Sequence, residues 1–204
     1  MYGGQLKHPT SLNKGAEEFL EEFKQAQATM DSSPREQLIG DAWQSPPSTE
    51  YKLNFDAAIF SGLEKSGIGD IIKNDKGEVV ANMSAIGPKV DTSEKAELLA
   101  CRRSIEFVVD AGSTKLVIEG DNSNVMQAIS LDVINYSFLS NVVDDIRHLM
   151  SGLQWATTSK IRRGGNKVAH VPAQHARNLD YDLFWLEDSP TLALGALYED
   201  LILL

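Results

Sequence analysis

Residues 51–60 read YKLNFDAAIF and alternate apolar with polar side chains around one acidic residue, Asp56. This period-2 alternation predicts a β-strand with a buried face. A carboxylate inside such a strand costs free energy unless a partner compensates its charge, and a bound metal ion is one such partner. The stretch therefore predicts a central strand that carries a functional aspartate.

The residues that follow this strand predict a three-stranded antiparallel meander. Residues 67–73 and 78–86 are the second and third strands, and the polar residues 74–77 form the turn between them. The pattern then changes to a helical period that starts near Asp91 and ends before Gly112. This is the longest helix that the sequence predicts.

A short β-rich run at residues 115–119 follows the helix. A strand reached through a helix is expected to pair in parallel with the first strand, because a β-α-β crossover connects parallel strands. Helices at 122–130, 138–150 and 165–177, with a fifth strand at 153–162, complete the pattern. We therefore predict an α/β protein with a five-stranded mixed sheet, three antiparallel strands followed by parallel strands, flanked by helices.

The chain divides into three predicted segments. Residues 1–50 contain an amphipathic helix and a linker rich in Ser and Pro. Residues 51–177 form the main domain, and residues 178–204 form a tail with a Leu-rich end that packs on the domain. Because an exposed apolar end is a liability for a soluble monomer, a surface for a protein partner is the alternative role of this tail.

Composition and charge restrict the class of protein. The chain is 42% hydrophobic and 24% charged, and no apolar run approaches the roughly 20 residues of a membrane-spanning helix. The N-terminus lacks a secretion pattern, and the single cysteine, Cys101, excludes an internal disulfide. We expect an intracellular protein that does not enter membranes, in either the nucleus or the cytoplasm. Its net charge of −10 disfavours nonspecific binding to phosphate backbones, so a nucleic-acid role needs a local basic patch or a bridging metal.

Three acidic residues are predicted to meet at one end of the sheet. Asp56 lies on the first strand, Asp121 follows the parallel fourth strand, and Glu97 lies on the helix between them. Carboxylates that lie this close repel one another, and a divalent cation with oxygen ligands, Mg²⁺ or alternatively Mn²⁺, relieves the repulsion. Taken singly, each residue is more often a solvated surface group or a helix cap, so a purely structural role is the alternative.

The best local basic patch precedes the final helix. Its members are Lys160, Arg162, Arg163 and Lys167. Such a cluster can meet a phosphate backbone, and the alternative is a solvated turn between a strand and a helix.

Several short motifs occur in one order from about Trp43 to Asp200 and are specific only in combination. They are Trp43, Pro46 and Pro47; residues 52–58; Gly67-Ile68-Gly69 with Gly77; residues 96–100; residues 118–122; residues 166–170; and residues 185–188. In this order they resemble the ribonuclease-H-like domain of plant proteins that are related to the reverse transcriptases of non-LTR retroelements.

The resemblance implies a metal-dependent endoribonuclease that hydrolyses the RNA strand of RNA/DNA hybrids. It implies that Asp56, Glu97 and Asp121 bind Mg²⁺ and that His170 completes the catalytic set. The position of Glu97 between the two aspartates matches ribonuclease H order rather than that of transposase relatives. The residues expected to contact nucleic acid are Asn122, Arg162, Arg163, Asn166 and Lys167.

Two departures from bacterial-type ribonucleases H, in a loop and in a glycine-rich segment, favour an alternative function together with the net charge of −10. A third departure, at His170, is common in the plant relatives and does not by itself imply an inactive protein. His170 stands where those enzymes carry a fourth carboxylate, four positions after an asparagine, here Asn166. The loop at 161–165 lacks their catalytic histidine, and residues 57–61 replace their glycine-rich segment. His170 is either a metal ligand or a polar group that caps or packs beside Asp121. The alternative function is a catalytically inactive module of the same fold that binds nucleic acid or a protein.

Overall fold

The computed structural model describes residues 45–130, 139–186 and 193–197. The predicted N-terminal helix and most of the linker after it therefore lie outside the described residues, and the division of the chain into three segments stays a prediction. Within the described residues, none of the helices is long and apolar enough to cross a lipid bilayer.

The core of the fold is one mixed sheet with strand order β5-β4-β1-β2-β3-β6. The strands β1 to β3 form an antiparallel meander, and β4 and β5 run parallel to β1, so the predicted α/β arrangement is confirmed. Within the described ranges the sheet has six strands rather than the five predicted. Their bounds are Tyr51–Ile59 (β1), Lys65–Lys73 (β2), Val79–Pro88 (β3), Lys115–Gly120 (β4), Trp155–Lys160 (β5) and Leu183–Leu186 (β6).

The helices flank this sheet. Their bounds are Ser93–Asp110 (α1), Ser123–Ser130 (α2), Ser140–Ser151 (α3) and Lys167–His175 (α4), with 3-10 turns at Arg163–Asn166 and Ala176–Asn178 on either side of α4. The predicted start of α1 at Asp91 is corrected by one residue. Thr92 caps the helix, because its side-chain oxygen accepts a hydrogen bond of 3.2 Å from the Lys95 backbone N–H.

The register of β1 places Asp56. The side chains of Leu53 and Phe55 enter the main hydrophobic core, whereas the alternate positions, including Asn54 and Asp56, lie on the opposite face of the sheet. Parallel pairing sets Asn54 beside Glu119. Two residues further along each strand, Asp56 and Asp121 therefore reach the same end of the sheet.

Helix α4 packs directly on β2 because β2 carries glycines at two alternate positions. A Cβ atom added to Gly67 would overlap the backbone of Ala173, and one added to Gly69 would overlap the backbones of both Ala169 and Ala173. No side chain fits between the helix and the strand at these positions. The two glycines therefore set how closely α4, with His170 on it, approaches the sheet.

The sixth strand lies in the segment that we predicted to be a C-terminal tail. It pairs antiparallel with β3, and the preceding Asp182 accepts a hydrogen bond of 2.9 Å from the Ile86 backbone N–H. Phe184 stacks on Phe107 of α1, with 5.2 Å between ring centroids. Backbone pairing and this aromatic contact therefore bring Leu183–Leu186 into the sheet.

Asp70 on β2 is a fully buried carboxyl group that pairs in register with Phe55 and therefore lies on the opposite face of the sheet from Asp56. Its oxygens lack a hydrogen bond of ordinary geometry within the described part of the chain. Burial raises the pKa of Asp70 to about 8, and nearby polar groups of Ser104 and Met83 offset this only in part. The side chain is therefore protonated in the folded protein at neutral pH.

This shift predicts an unusual dependence of stability on pH. From about pH 5 to pH 8 folded Asp70 holds a proton that the unfolded chain has lost, so the free energy of unfolding falls as pH rises, by about 1.4 kcal/mol per pH unit from this group. We expect Asp70→Asn to remove this contribution and to be more stable than the native chain at pH 8. Urea unfolding at several pH values checks the result; parallel curves for both proteins would contradict it.

Candidate metal centre

Three carboxylates from three elements meet at the end of the sheet. Asp56 comes from β1, Glu97 from α1, and Asp121 directly follows β4. One carboxylate oxygen from each lies within 4.8 Å of the others. The structure thus brings together the three residues that the sequence placed at one site, and each owes its position to a different part of the β-α-β unit.

Burial and mutual repulsion disfavour the charged forms of these groups. Burial, followed by the charge of Asp56, raises the pKa of Glu97 to about 9. Burial also raises the pKa of Asp56, although His170 beside it acts in the opposite direction. A cation bound among these carboxyl groups would stabilise their ionised forms.

The donor atoms suit a divalent cation. All three residues offer carboxylate oxygens, the ligand type that Mg²⁺ and Mn²⁺ prefer. Glu97 is 7% exposed, and its buried Oε2 atom has no hydrogen-bond partner among the described residues. A buried oxygen without a partner is costly, and coordination of a cation would compensate it. The residues present therefore fit the metal that the sequence predicts.

His170 approaches this site from α4. Its Nδ1 atom lies 2.6 Å from Oδ2 of Asp56, and 56% of its side chain is exposed, against 8% for Asp56. The contact is a short hydrogen bond between the ring nitrogen and the carboxyl group. The structure thus places the hydrogen bond of His170 at Asp56 and not at Asp121, where we predicted a polar packing residue. A role as metal ligand stays a prediction.

Two cationic residues border the same cleft, which has a volume of about 430 Å³. Arg163 Nε lies 3.3 Å from Asp121 Oδ2, and Lys167 lines the cleft one turn before His170 on α4. Arg162 is exposed but does not line this cleft. Of the predicted basic patch, the residues closest to the carboxylates are therefore Arg163 and Lys167.

Asn166 does not lie where we predicted a nucleic-acid contact. It is 2% exposed, and its side-chain amide donates a hydrogen bond of 2.9 Å to the backbone carbonyl of Phe55. The prediction for Asn166 is corrected: the residue joins β1 to the start of α4. Asn122 is partly buried and caps α2, because its side-chain oxygen accepts from the backbone N–H groups of Asn124 and Val125.

The sequence analysis missed a buried polar network beside the carboxylates. Lys52 Nζ donates to Glu119 Oε1 at 3.0 Å, and the Asn54 amide donates to Glu119 Oε2 at 3.1 Å. The same Asn54 amide lies 3.5 Å from Asn166 Oδ1. The signal was present in β1, where Lys52, Asn54 and Asp56 occupy alternate positions and therefore share one face.

Comparison with known proteins gives one family. A family model described as reverse transcriptase-like matches residues 54–176, which is more than half of the chain and includes all three carboxylates and His170. No curated protein sequence matches the chain.

The solved structures with similar architecture include several ribonucleases H. RNase H1 from the halophilic archaeon Halobacterium salinarum is 21% identical, with a TM-score of 0.58 over 63% of this chain and 98% of that one. The N-terminal RNase H domain of a Mycobacterium tuberculosis protein is 19% identical, with a TM-score of 0.55 over 63% and 94% of the two chains.

A third similar structure, LC11-RNase H1 in complex with an RNA/DNA hybrid, is 18% identical, with a TM-score of 0.55 over 62% of this chain and 95% of that one. At such identities the likeness establishes the fold and not the activity.

Proposed function

The chain belongs to the reverse-transcriptase-like family and has the ribonuclease H fold, and from that premise we propose that it is a divalent-metal-dependent endoribonuclease that cuts the RNA strand of RNA/DNA hybrids. The observation that carries this proposal is the convergence of Asp56, Glu97 and Asp121 within 4.8 Å at the carboxyl end of the parallel strands. The plant origin and retroelement ancestry implied by the sequence resemblance stay predictions.

Asp56, Glu97 and Asp121 would hold the metal, with Mg²⁺ the first candidate and Mn²⁺ the second. When bound, such a cation lowers the pKa of water and stabilises charge on phosphoryl oxygens. The protein side chains have their own tasks. The short contact between His170 and Asp56 would orient the carboxylate and offset in part the rise in its pKa that burial causes. The Glu97 side chain must lose its proton before it can act as a ligand.

The cations around the cleft would position the substrate. Lys167 and Arg163 border the carboxylates, and Arg162 is exposed on the same turn. A phosphate backbone that crosses the cleft would contact these side chains, which offset locally the net charge of −10. We further propose that the amide end of Asn122 contacts the sugar-phosphate backbone next to Asp121.

A second candidate function, a noncatalytic module that binds nucleic acid, is favoured by a specific observation. Two of the three carboxylates have cationic or ionisable partners from the chain itself: Asp56 has His170, and Asp121 has Arg163. Internal partners of this kind partly compensate the acidic groups without a metal. The cleavage experiment separates the two candidates.

The test is cleavage of end-labelled RNA in four forms: paired with DNA, paired with RNA, single-stranded, and within a chimeric strand that carries a short RNA segment. The native chain is expected to cut RNA in the hybrid in Mg²⁺ or Mn²⁺ and to stop when EDTA removes the metal. Glu97→Gln, purified in parallel, is the matched control for contaminating nucleases because it removes one charge and keeps the side-chain shape.

Binding of the hybrid without cutting in either metal would support the noncatalytic module. Equal cutting of all RNA forms, or cutting that persists in EDTA, would contradict the hybrid nuclease. A folded sample that neither binds nor cuts the hybrid would overturn both candidates.

A further inference from the structure

Arg163 forms an ion pair in the cleft that the proposed contact with the substrate does not explain. It is the first residue of the 3-10 turn Arg163–Asn166, directly before α4. Its Nε atom lies 3.3 Å from Oδ2 of Asp121, one of the three clustered carboxylates. An arginine that is ion-paired to this carboxylate and a divalent cation bound at the same oxygen compete for one negative charge.

The two partners of this ion pair differ in exposure. The Arg163 side chain is 95% exposed, whereas that of Asp121 is 10% exposed. The guanidinium therefore reaches the carboxylate from solvent and keeps most of its hydration. Exposed ion pairs are weak, because solvent screens them and the long side chain loses conformational freedom. Arg163 can therefore leave Asp121 at little cost.

The turn around Arg163 leaves room for this movement. A Cβ atom added to the neighbouring Gly164 would meet nothing within 4 Å, so the space next to Arg163 is open at this position. Lys167 and His170 line the same cleft, and a phosphate there would already have positive charge on one side. A displaced Arg163 guanidinium stays beside the cleft, where it can form bidentate hydrogen bonds with phosphate oxygens.

We propose that Arg163 is a switching residue: it pairs with Asp121 in the metal-free protein, yields this carboxylate to the cation, and then contacts a phosphate of the nucleic acid. This inference rests on the proposed function, since it requires both the metal and the substrate at this cleft. It goes beyond that function because it links metal loading to substrate affinity through one side chain.

The first test measures Mn²⁺ affinity by calorimetry on the metal-free full chain and its variants. Arg163→Gln is expected to bind Mn²⁺ about two- to fivefold more tightly than the native chain, because the competitor for Asp121 is gone. Lys76→Gln is the control: it removes one positive charge from an exposed residue in the turn between β2 and β3, which does not line the cleft. Its Mn²⁺ affinity is expected to stay close to that of the native chain.

The second test measures binding of an RNA/DNA hybrid by fluorescence anisotropy, in EDTA and in Ca²⁺. In EDTA the loss of affinity in Arg163→Gln is expected to be smaller than in Ca²⁺, since Asp121 then competes with the phosphate for Arg163. In Ca²⁺ the variant is expected to bind more weakly, and the slope of log Kd against log salt concentration is expected to decrease by about one.

Equal Mn²⁺ affinity of Arg163→Gln and the native chain would overturn the inference, as would the same loss of hybrid binding in EDTA and in Ca²⁺. Either result leaves the proposed function standing, provided that the native chain binds metal. Failure of the native chain itself to bind Mn²⁺ or Ca²⁺ would instead reject the metal-dependent function together with the switch.

Discussion

Asp56→Asn is expected to reduce the rate of hybrid cleavage by at least about 10²-fold. The substitution removes a negative charge that would help to hold the cation, and the cation would stabilise the negative charge that develops in the transition state. Asp56 lies on β1, a central strand of the sheet, and is buried. It contacts His170 and lies close to the other two carboxylates. The asparagine side chain has nearly the same shape, so a loss of activity would report charge rather than packing. The measurement is single-turnover cleavage of a labelled hybrid in Mg²⁺.

The control for this prediction is Asp110→Asn. Asp110 is the exposed last residue of α1, outside the cleft, and its substitution changes the net charge by the same amount. We expect this control to cut at the native rate and both variants to unfold at or above the native urea concentration, since burial disfavours the charged form of Asp56. An active Asp56→Asn protein would show that the hybrid is cut elsewhere.

Gly69→Ala is expected to destabilise the fold by about 3 kcal/mol or more, the upper range for an overpacked core. Its new methyl group would overlap backbone atoms of Ala169 and Ala173, and backbone cannot rotate away as a side chain can. Helix α4 would have to move off β2. Because α4 carries His170, the contact of 2.6 Å with Asp56 would also be lost. Urea unfolding gives the change in stability.

Gly164→Ala is the matched control for this substitution. The added Cβ atom at Gly164 meets nothing within 4 Å, so the change in stability is expected to stay within about 0.5 kcal/mol. Equal stability of Gly69→Ala and Gly164→Ala would contradict the direct packing of α4 on β2.

The site carboxylates were predictable because each is tied to a regular element. The alternation around Asp56 marks a half-buried strand, and the β-α-β order fixes β4 as parallel to β1. The pairing of Asn54 with Glu119 brings Asp121 level with Asp56, whereas pleating decides only which face the side chains share. Glu97 is buried on the core side of the connecting helix, as its helical spacing indicates. Periodicity and chain order therefore predicted that the three residues can converge, and the family resemblance favoured a metal site over a purely structural role.

The role of Asn166 was not predictable from its own surroundings in the sequence. An asparagine before a helix, next to glycine and basic residues, is typical of an exposed turn. Its burial arises from a long-range contact with the backbone of Phe55, more than a hundred positions earlier. Local patterns carry no information on such a partner. The pairing of Arg163 with Asp121 was hidden for the same reason, because it depends on the path of one turn.

The sixth strand was missed for a different reason. Leu183–Leu186 spans four residues, which is too short for a clear alternation, and it lies within an apolar segment that also fits a docked tail. What makes it a strand is the free edge of β3, together with the contact between Phe107 and Phe184. A pairing edge is a property of the assembled sheet.

The most direct test of the central claim, that Asp56, Glu97 and Asp121 form one divalent-metal site, is a calorimetric titration of the metal-free chain with Mn²⁺, repeated for Glu97→Gln. We predict that the native chain binds Mn²⁺ and that the variant binds it at least about tenfold more weakly. The Gln amide keeps one oxygen atom but lacks the negative charge of the Glu carboxylate. Equal binding by the two proteins, or no binding by the native chain, would contradict the shared site.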